Sequence, residues 1–331
     1  MLFFLTLIIG TMISISAYSW FAMWIGLEIN LLSIIPLFKS TNNSFPTEST
    51  IKYFITQVLA STVILFTIIT SMNLNEFIPQ NSNYWMMIMM NSALLTKMGA
   101  APFHAWFPEV TEGLNWMNNL LLLTWQKLAP MILVMYNLNM TFFLSIIIII
   151  CSIIGGIMGF NQISLRKIMA YSSINHIGWM LASMMNYKMI WILYFGIYST
   201  ISMNIILMFY LLNTFFIPQL FLTMNSNKLI KMLFIFNFFS LGGLPPFMGF
   251  LPKWLTINFL IENNFYALSL ILILSTLITL YFYIRIAIST LTIYSKETII
   301  STNKIKNSIL ILFNSITLSG IILSTNLFNF L

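Results

Sequence analysis

The sequence predicts an all-α polytopic membrane protein of about 11 transmembrane helices, built as two inverted five-helix repeats with discontinuous fourth and ninth helices. Three observations predict it. The 331 residues are 59% hydrophobic and only 6% charged, against about 25% charged in a soluble domain. Their apolar residues come in runs of about 20, the length of a bilayer-spanning helix. Two of the runs are overlong, and both carry the same helix-breaking pattern near the middle. So few charges could not cover a soluble surface, which excludes a cytosolic enzyme, a secreted domain and a disordered chain.

Taken in order, the expected spans lie near 1–18, 20–38, 51–71, 83–113, 116–136, 140–160, 168–185, 188–212, 229–262, 264–288 and 307–328. All are continuously apolar, without the 10-residue alternation of a membrane β-barrel. They group as a first five-helix unit over 1–136, a second, inverted unit over 140–288, and a loop with a C-terminal helix over 289–331. Loop charges support this order. Loops on the side of the N-terminus carry Lys39, Lys52, Arg166, Lys167, Lys228, Lys231, Lys296, Lys304 and Lys306, whereas the opposite loops carry only Lys188. Positive residues hold loops on the inner side of a bilayer. The N-terminus is therefore expected inside and the C-terminus opposite. No Lys or Arg precedes Lys39, so neither a signal peptide nor an Arg-rich transit peptide is expected.

The net charge of +7 comes from single, scattered basic residues. They form no stripe that would track phosphates, so no nucleic-acid partner is expected. The sole cysteine, Cys151, can form neither an intrachain disulfide nor a multi-thiolate cluster. No P-loop, dinucleotide fingerprint or Cys/His metal motif is present, and no cofactor or metal is expected in this chain. Gly155 to Gly159, GGIMG, reads as close helix packing.

The two breaks resemble each other. Gly99 to Pro108 reads GAAPFHAWFP, and Gly243 to Pro252 reads GLPPFMGFLP. Gly99 with Pro102, and Gly243 with Pro245 and Pro246, mark the interruptions, because proline removes a backbone donor and clashes with the preceding turn. In hydrocarbon the freed carbonyls need protein or water partners. Broken helices five spans apart lie upside down relative to each other, the inverted-repeat pattern of transporters; the alternative is a kink motif shared by chance.

Four ionisable groups lie deep within the runs: Glu28, Lys97, Lys127 and Lys253. A lone charge at mid-bilayer costs roughly 2.5–3.5 kcal/mol on insertion scales, so such groups are expected to face one another or water, and to serve function by default. Lys97 precedes the first break, where Ala93, Ala100 and Ala101 leave room for a partner, and Lys253 follows the second. Lys127 has Thr124 one turn away. Alternating Glu and Lys groups suit a proton relay, and ammonium groups repel metal cations. The alternatives are a packing salt bridge or a snorkelling lysine, the latter the reading for Arg285 near its helix end. Ser172, Asn175, His176 and Trp179 share one helix face, and Tyr194, Tyr198 and Ser202 another. These faces suit either water wires or helix packing. His176 reads equally as a relay group or as a satisfied core histidine, His104 as a structural hydrogen-bonder, and Glu109 and Glu112 as solvated interface residues.

The segments WIGLEINLLSIIPL, LLTKMGAAPFHAWFPEVTEG, LLLTWQKLAP, LRKIMAYSSINHIGWM and LGGLPPFMGFLPKW resemble the NADH dehydrogenase subunit 2 family, the antiporter-like, proton-pumping membrane subunits of respiratory complex I. The likeness runs in order through nearly the whole chain, and the composition is similar to insect mitochondrial copies. The resemblance implies a subunit of a proton-translocating NADH:ubiquinone reductase in the mitochondrial inner membrane, with matrix and intermembrane-space termini. It implies that Glu28 and Lys97 form the family's Glu–Lys pair, that Lys127 is the central relay lysine, and that Lys253 belongs to the second broken helix; His176 joins the polar axis. NADH, FMN, iron–sulfur clusters and ubiquinone would belong to partner subunits. The family's typical fold has 14 helices, so three N-terminal ones are absent here. Other membrane-arm subunits, accessory subunits and phospholipids are the implied partners. A stand-alone cation/proton antiporter subunit is the alternative function, and a structural spacer a third.

Overall fold

A computed structural model describes residues 1–39, 44–74, 82–138, 140–186, 188–224, 228–245 and 247–292. Pro246, Lys296, Lys304, Lys306 and the expected span 307–328 lie outside the described residues. Among those described, every regular element is a helix; an isolated antiparallel bridge joins Ser164 and Phe216. Among the described residues, six helical stretches are long and apolar enough to cross a membrane: Trp20–Phe38, Ser44–Met72, Trp116–Tyr136 (counted across a kink), Thr141–Gly159, Lys188–Leu212 and Tyr266–Thr290. The described residues form two compact units, Met1–Ile150 and the part from Cys151 onward.

The first unit contains α1 (Leu2–Ser16), α2 (Trp20–Phe38), α3 (Ser44–Leu74), α4 (Ser82–Met98), α5 (Trp106–Gly113), α6 (Trp116–Leu123) and α7 (Trp125–Tyr136). Neighbour contacts run α1 to α2, α2 to α3, α3 to α4, α4 to α7 and α7 back to α1, closing a ring; α5 packs on α3. Ser19 caps α2 by accepting from the Ala22 N–H at 3.3 Å. Close approach of α1 and α2 depends on glycine: a Cβ on Gly26 would lie 2.6 Å from the Ser14 nitrogen, and one on Gly10 would lie 2.9 Å from the Asn30 nitrogen. Small residues let helix backbones approach where no hydrophobic drive separates protein from lipid.

The expected fifth span, 116–136, is not one uninterrupted helix. It divides at Thr124 into α6 and α7. The Thr124 hydroxyl donates back to the Leu120 carbonyl at 2.7 Å, a bond that bends helices. Pro130 lies within α7 and deprives the Gln126 carbonyl of its helical donor.

After α8 (Thr141–Gly159), the second unit continues with α9 (Leu165–Asn186), α10 (Lys188–Leu212), α11 (Ile217–Met224), α12 (Lys228–Gly242), α13 (Phe250–Glu262) and α14 (Tyr266–Thr292). Here α9, α10, α12 and α14 pack in a closed circuit, and α13 contacts α9, α10 and α14. Helix α9 is buried nearly all round, as expected of a helix without an apolar stripe in the middle of a bundle. GGIMG packs closely, as the sequence suggests: a Cβ on Gly155 would lie 2.7 Å from the Asn175 backbone nitrogen. The eight-residue α11 was not anticipated. Its entry is fixed by Gln219, whose side-chain oxygen accepts from the Phe215 and Phe216 N–H groups at 2.9 and 3.2 Å. The Arg285 guanidinium donates to the Gln162 carbonyl in the turn between α8 and α9 at 3.3 Å.

Candidate functional site: two broken helices and their buried charges

Both breaks begin with the same helix ending. At the first, the Gly99 N–H donates to the Thr96 carbonyl at 3.1 Å and the Ala100 N–H to the Leu95 carbonyl at 3.0 Å. At the second, Gly243 donates to Ser240 at 3.0 Å and Leu244 to Phe239 at 3.2 Å. This paired 5→2 and 6→1 pattern is a Schellman motif, which needs a left-handed residue just past the helix. Gly99 and Gly243 supply it, with φ of +74° and +76°. Two more such ends use asparagine, Asn213 at φ +50° and Asn264 at φ +64°. The Ala101–Pro102 peptide is cis.

Side chains add further bonds to carbonyls at each break. Trp106 Nε1 donates to the Thr96 carbonyl at 3.1 Å, and Gln57 Nε2 to the Lys97 carbonyl at 3.4 Å. Lys253 Nζ donates to the Gly242 carbonyl at 2.8 Å, placing a cation at the negative end of α12. A Cβ on Gly249 would overlap the Ser240 carbonyl, so only glycine lets the chain re-enter α13 this close to α12. Such partners reduce the cost of backbone groups freed in an apolar setting.

In the first unit, the structure brings Glu28 and Lys97 together. Lys97 Nζ lies 3.9 Å from Glu28 Oε1, and the lysine side chain is 4% exposed. That separation makes an ion pair and exceeds a direct hydrogen bond. Beside Lys97 is a small cavity of about 10 Å³, room for about one water, lined by Asn30, Tyr53, Gln57 and Gln126, together with Leu27, Leu31 and Pro130. Tyr53 donates to Gln126 Oε1 at 3.3 Å, and Gln126 Nε2 donates to Asn30 Oδ1 at 2.9 Å. Lys127 is also buried, its Nζ 5.4 Å from the centre of the Phe107 ring in cation–π contact. That ring also lies against Gly99, where a Cβ would approach it to 2.9 Å. Lys127 does not line the Lys97 cavity.

In the second unit, Lys253 is buried, 5.8 Å from the centre of a Trp179 ring. A Cβ on Gly243 would approach its Cδ to 2.8 Å. A second small cavity, also of about 10 Å³, is lined by His176, Tyr194, Tyr198, Ser240, Gly249 and Pro252, among others. His176 Nδ1 lies 2.9 Å from the Tyr194 hydroxyl. Ser172 and Ser202 turn back onto the Met169 and Ser199 carbonyls of their own helices. Among the polar faces read from sequence, His176 and the two tyrosines therefore reach the cavity while the serines serve helix packing. His104 Nδ1 lies 3.3 Å from the Pro102 carbonyl, the structural bond expected of it. Glu109 is exposed and pairs with Lys52 at 3.0 Å.

Sequence reasoning missed Asn30, Tyr53, Gln57 and Gln126. Their signal is an amide or phenol inside an apolar run, since such a group is costly to bury unless bonded. Gln126 is moreover adjacent to Lys127. Among the described residues no three His, Cys, Asp or Glu side chains lie together in a way that holds a metal ion.

The structure thus defines a class: a helical membrane protein in which paired, glycine-hinged broken helices carry buried lysines. Residues 17–279 match the family described as NADH:quinone oxidoreductase/Mrp antiporter, TM, and the chain belongs to it. It is 47% identical over 327 residues to the NADH-ubiquinone oxidoreductase chain 2 of Anopheles gambiae, covering 97% of this chain and 96% of that one. To the Aedes aegypti chain of the same name it is 48% identical over 329 residues, covering 98% and 96%. To that of Bos taurus it is 39% identical over 310 residues, covering 91% and 87%. Its fold matches a chain of respiratory complex I from Thermus thermophilus with bound aureothin at a TM-score of 0.86, covering 98% of this chain and 78% of that one at 18% identity. A chain of the Mrp complex from Dietzia sp. DQ12-45-1b matches at 0.72, covering 86% and 59% at 15% identity.

Proposed function

We propose that this chain is the antiporter-like membrane subunit of a NADH:ubiquinone oxidoreductase, respiratory complex I, and that it carries protons across the mitochondrial inner membrane along a Glu/Lys axis. The chain-2 relatives, nearly half identical over almost the full length, support the assignment to that enzyme. One observation carries the proton-transfer reading: an ion pair, Glu28 with Lys97, sits beside a helix break and a polar cavity. A charged pair kept there without a transport role would be an expensive way to join helices.

Coulomb attraction across 3.9 Å is on the order of 4 kcal/mol at an effective dielectric of 20. Neutralising either partner withdraws that attraction from the other, so proton uptake at one favours proton movement at the next. Lys127 and Lys253 extend the axis, and His176 with Tyr194 offers a further exchange point. Driving energy comes from NADH oxidation and quinone reduction in other subunits. FMN and iron–sulfur clusters belong to them, since one cysteine cannot ligate a cluster by thiolates alone. In this reading the 11 helices form two inverted five-helix units, 1–136 and 140–288, followed by 289–331. The N-terminus faces the matrix and the C-terminus the intermembrane space. Other membrane-arm subunits, accessory subunits and phospholipids cover the outer faces.

Lys97→Met and Glu28→Gln, each made at the matching position of a bacterial complex and assayed in vesicles, test the axis. The expected result is assembled enzyme with fewer protons moved per electron; an undiminished ratio overturns it. A second reading, a stand-alone cation/proton antiporter subunit, draws on the family's breadth and on the fold shared with an Mrp complex chain. Autonomous ion exchange by the purified chain would favour it. Co-purification with flavin- and quinone-reducing partners favours the first.

A further inference from the structure

The geometry points to Gln126 as a positioning residue for Lys97, acting through water held in the cavity between them. The inference rests on the proton-carrying reading of Glu28 and Lys97 and deepens it. An ammonium has three donors. Lys97 is 6% exposed, and its charged partner stands at 3.9 Å, too far for a direct hydrogen bond. Glu28 Oε1 is likewise buried and accepts no hydrogen bond from any described residue. Buried charge survives only with polar partners, and the polar surface within reach is the cavity wall.

That wall is held rigidly. Gln126 is clamped on both sides, accepting from Tyr53 and donating to Asn30. Its backbone carbonyl is left without a helical donor because Pro130 has no N–H. Tyr53 is fixed in turn by edge-on contacts with Trp106, 5.7 Å between ring centres, and with Phe38, at 5.4 Å. Trp106 belongs to the broken helix, whose Thr96 carbonyl it caps. A path of contacts therefore leads from the break, through the Trp106–Tyr53 ring contact and two hydrogen bonds, to Gln126 and Asn30, two residues from Glu28. A primary amide gives up no proton near neutral pH, so this path orients rather than conducts. Water in the cavity beside Lys97 meets a fixed array of donors and acceptors.

The test uses the assembled enzyme in vesicles, with Gln126→Met, which removes the amide at similar volume, and Tyr53→Phe, which removes a single bond. Leu133→Met, buried on the same helix outside the cavity, is the control. Gln126→Met should assemble, slow coupled turnover roughly two- to tenfold, the effect of one net hydrogen bond, and displace the pH profile of turnover. Tyr53→Phe should act in the same direction by less, and Leu133→Met should change neither. If Gln126→Met fails to assemble, Tyr53→Phe carries the test with the same readouts. A well-resolved map of the complex should show ordered water within hydrogen-bond reach of Lys97 Nζ and a Gln126 polar atom. A dry cavity, or assembled variants with unchanged rate and pH profile, overturns the inference. Lys97→Met run in parallel separates the two claims. If it abolishes pumping while Gln126→Met does nothing, only this inference falls. If it leaves pumping intact, the reading beneath it falls as well.

Discussion

Adjacent glycines at the end of α12 give a sharp test of the break geometry. Gly242 is the last helical residue, and a Cβ there would meet Tyr283 Cδ2 at an ordinary 3.5 Å. Gly243 has φ +76°, and a Cβ there would approach Lys253 Cδ to 2.8 Å and Nζ to 3.0 Å. Gly242→Ala should therefore be neutral or stabilising by up to about 1 kcal/mol, the helix-propensity gain. Gly243→Ala should cost roughly 1–2 kcal/mol in left-handed backbone strain. It should cost a further 1.5–3 kcal/mol or so if Lys253 is pushed off the Gly242 carbonyl. The two variants should then differ by at least about 1 kcal/mol, some fivefold in the ratio of native to disrupted subunit, and by more if Lys253 is displaced. The assay is the level of assembled complex and its thermal half-inactivation in detergent, each variant made at the matching bacterial positions. Equal behaviour of the two, or a more stable Gly243→Ala, would refute the Schellman reading and the close fit of Lys253 against the break.

Other predictions follow from the same contacts. Gly155→Leu should prevent assembly, because its side chain would meet the Asn175 backbone; Gly196→Ala, with nothing within 4 Å, should leave the level of complex unchanged on a native gel. Asn264→Ala should lower the thermal midpoint by the equivalent of about 1 kcal/mol, while Asn264→Gly should shift it little, because glycine accepts the left-handed φ without strain. Lys52→Ala should leave assembly and pumping intact, since its pairs with Glu48 and Glu109 are exposed and such pairs contribute little.

The helical class was legible because hydropathy constrains it strongly: a run of 20 apolar residues leaves the backbone few options in lipid. Both breaks were legible for a local reason, since Gly and Pro leave a signature independent of tertiary context. The kink at Thr124 was not. It depends on a hydroxyl turning back to its own helix, a choice the sequence leaves open. Glu28 and Lys97 stood out as charges in apolar runs, 69 residues apart; the family resemblance implied their pairing, and the packing of α2 and α4 with α3 and α7 brings it about. The amide network was invisible because it depends on that packing alone. Asn30, Tyr53 and Gln126 lie on three helices, and only packing brings them onto one cavity. Lys253 illustrates a different limit: the sequence marks its depth, whereas the structure adds that it caps the preceding helix through the Gly242 carbonyl, a structural duty alongside any transfer role.

The most direct test of the axis is the proton-to-electron ratio of assembled complex in sealed vesicles when Lys127 and Lys253 are replaced together by methionine. If these buried ammonium groups carry protons, NADH-driven quinone reduction should persist on dissipating the gradient while the ratio falls below that of the unmodified enzyme. A ratio equal to the unmodified enzyme's, at normal assembly, would mean that the lysines serve only to hold helices together.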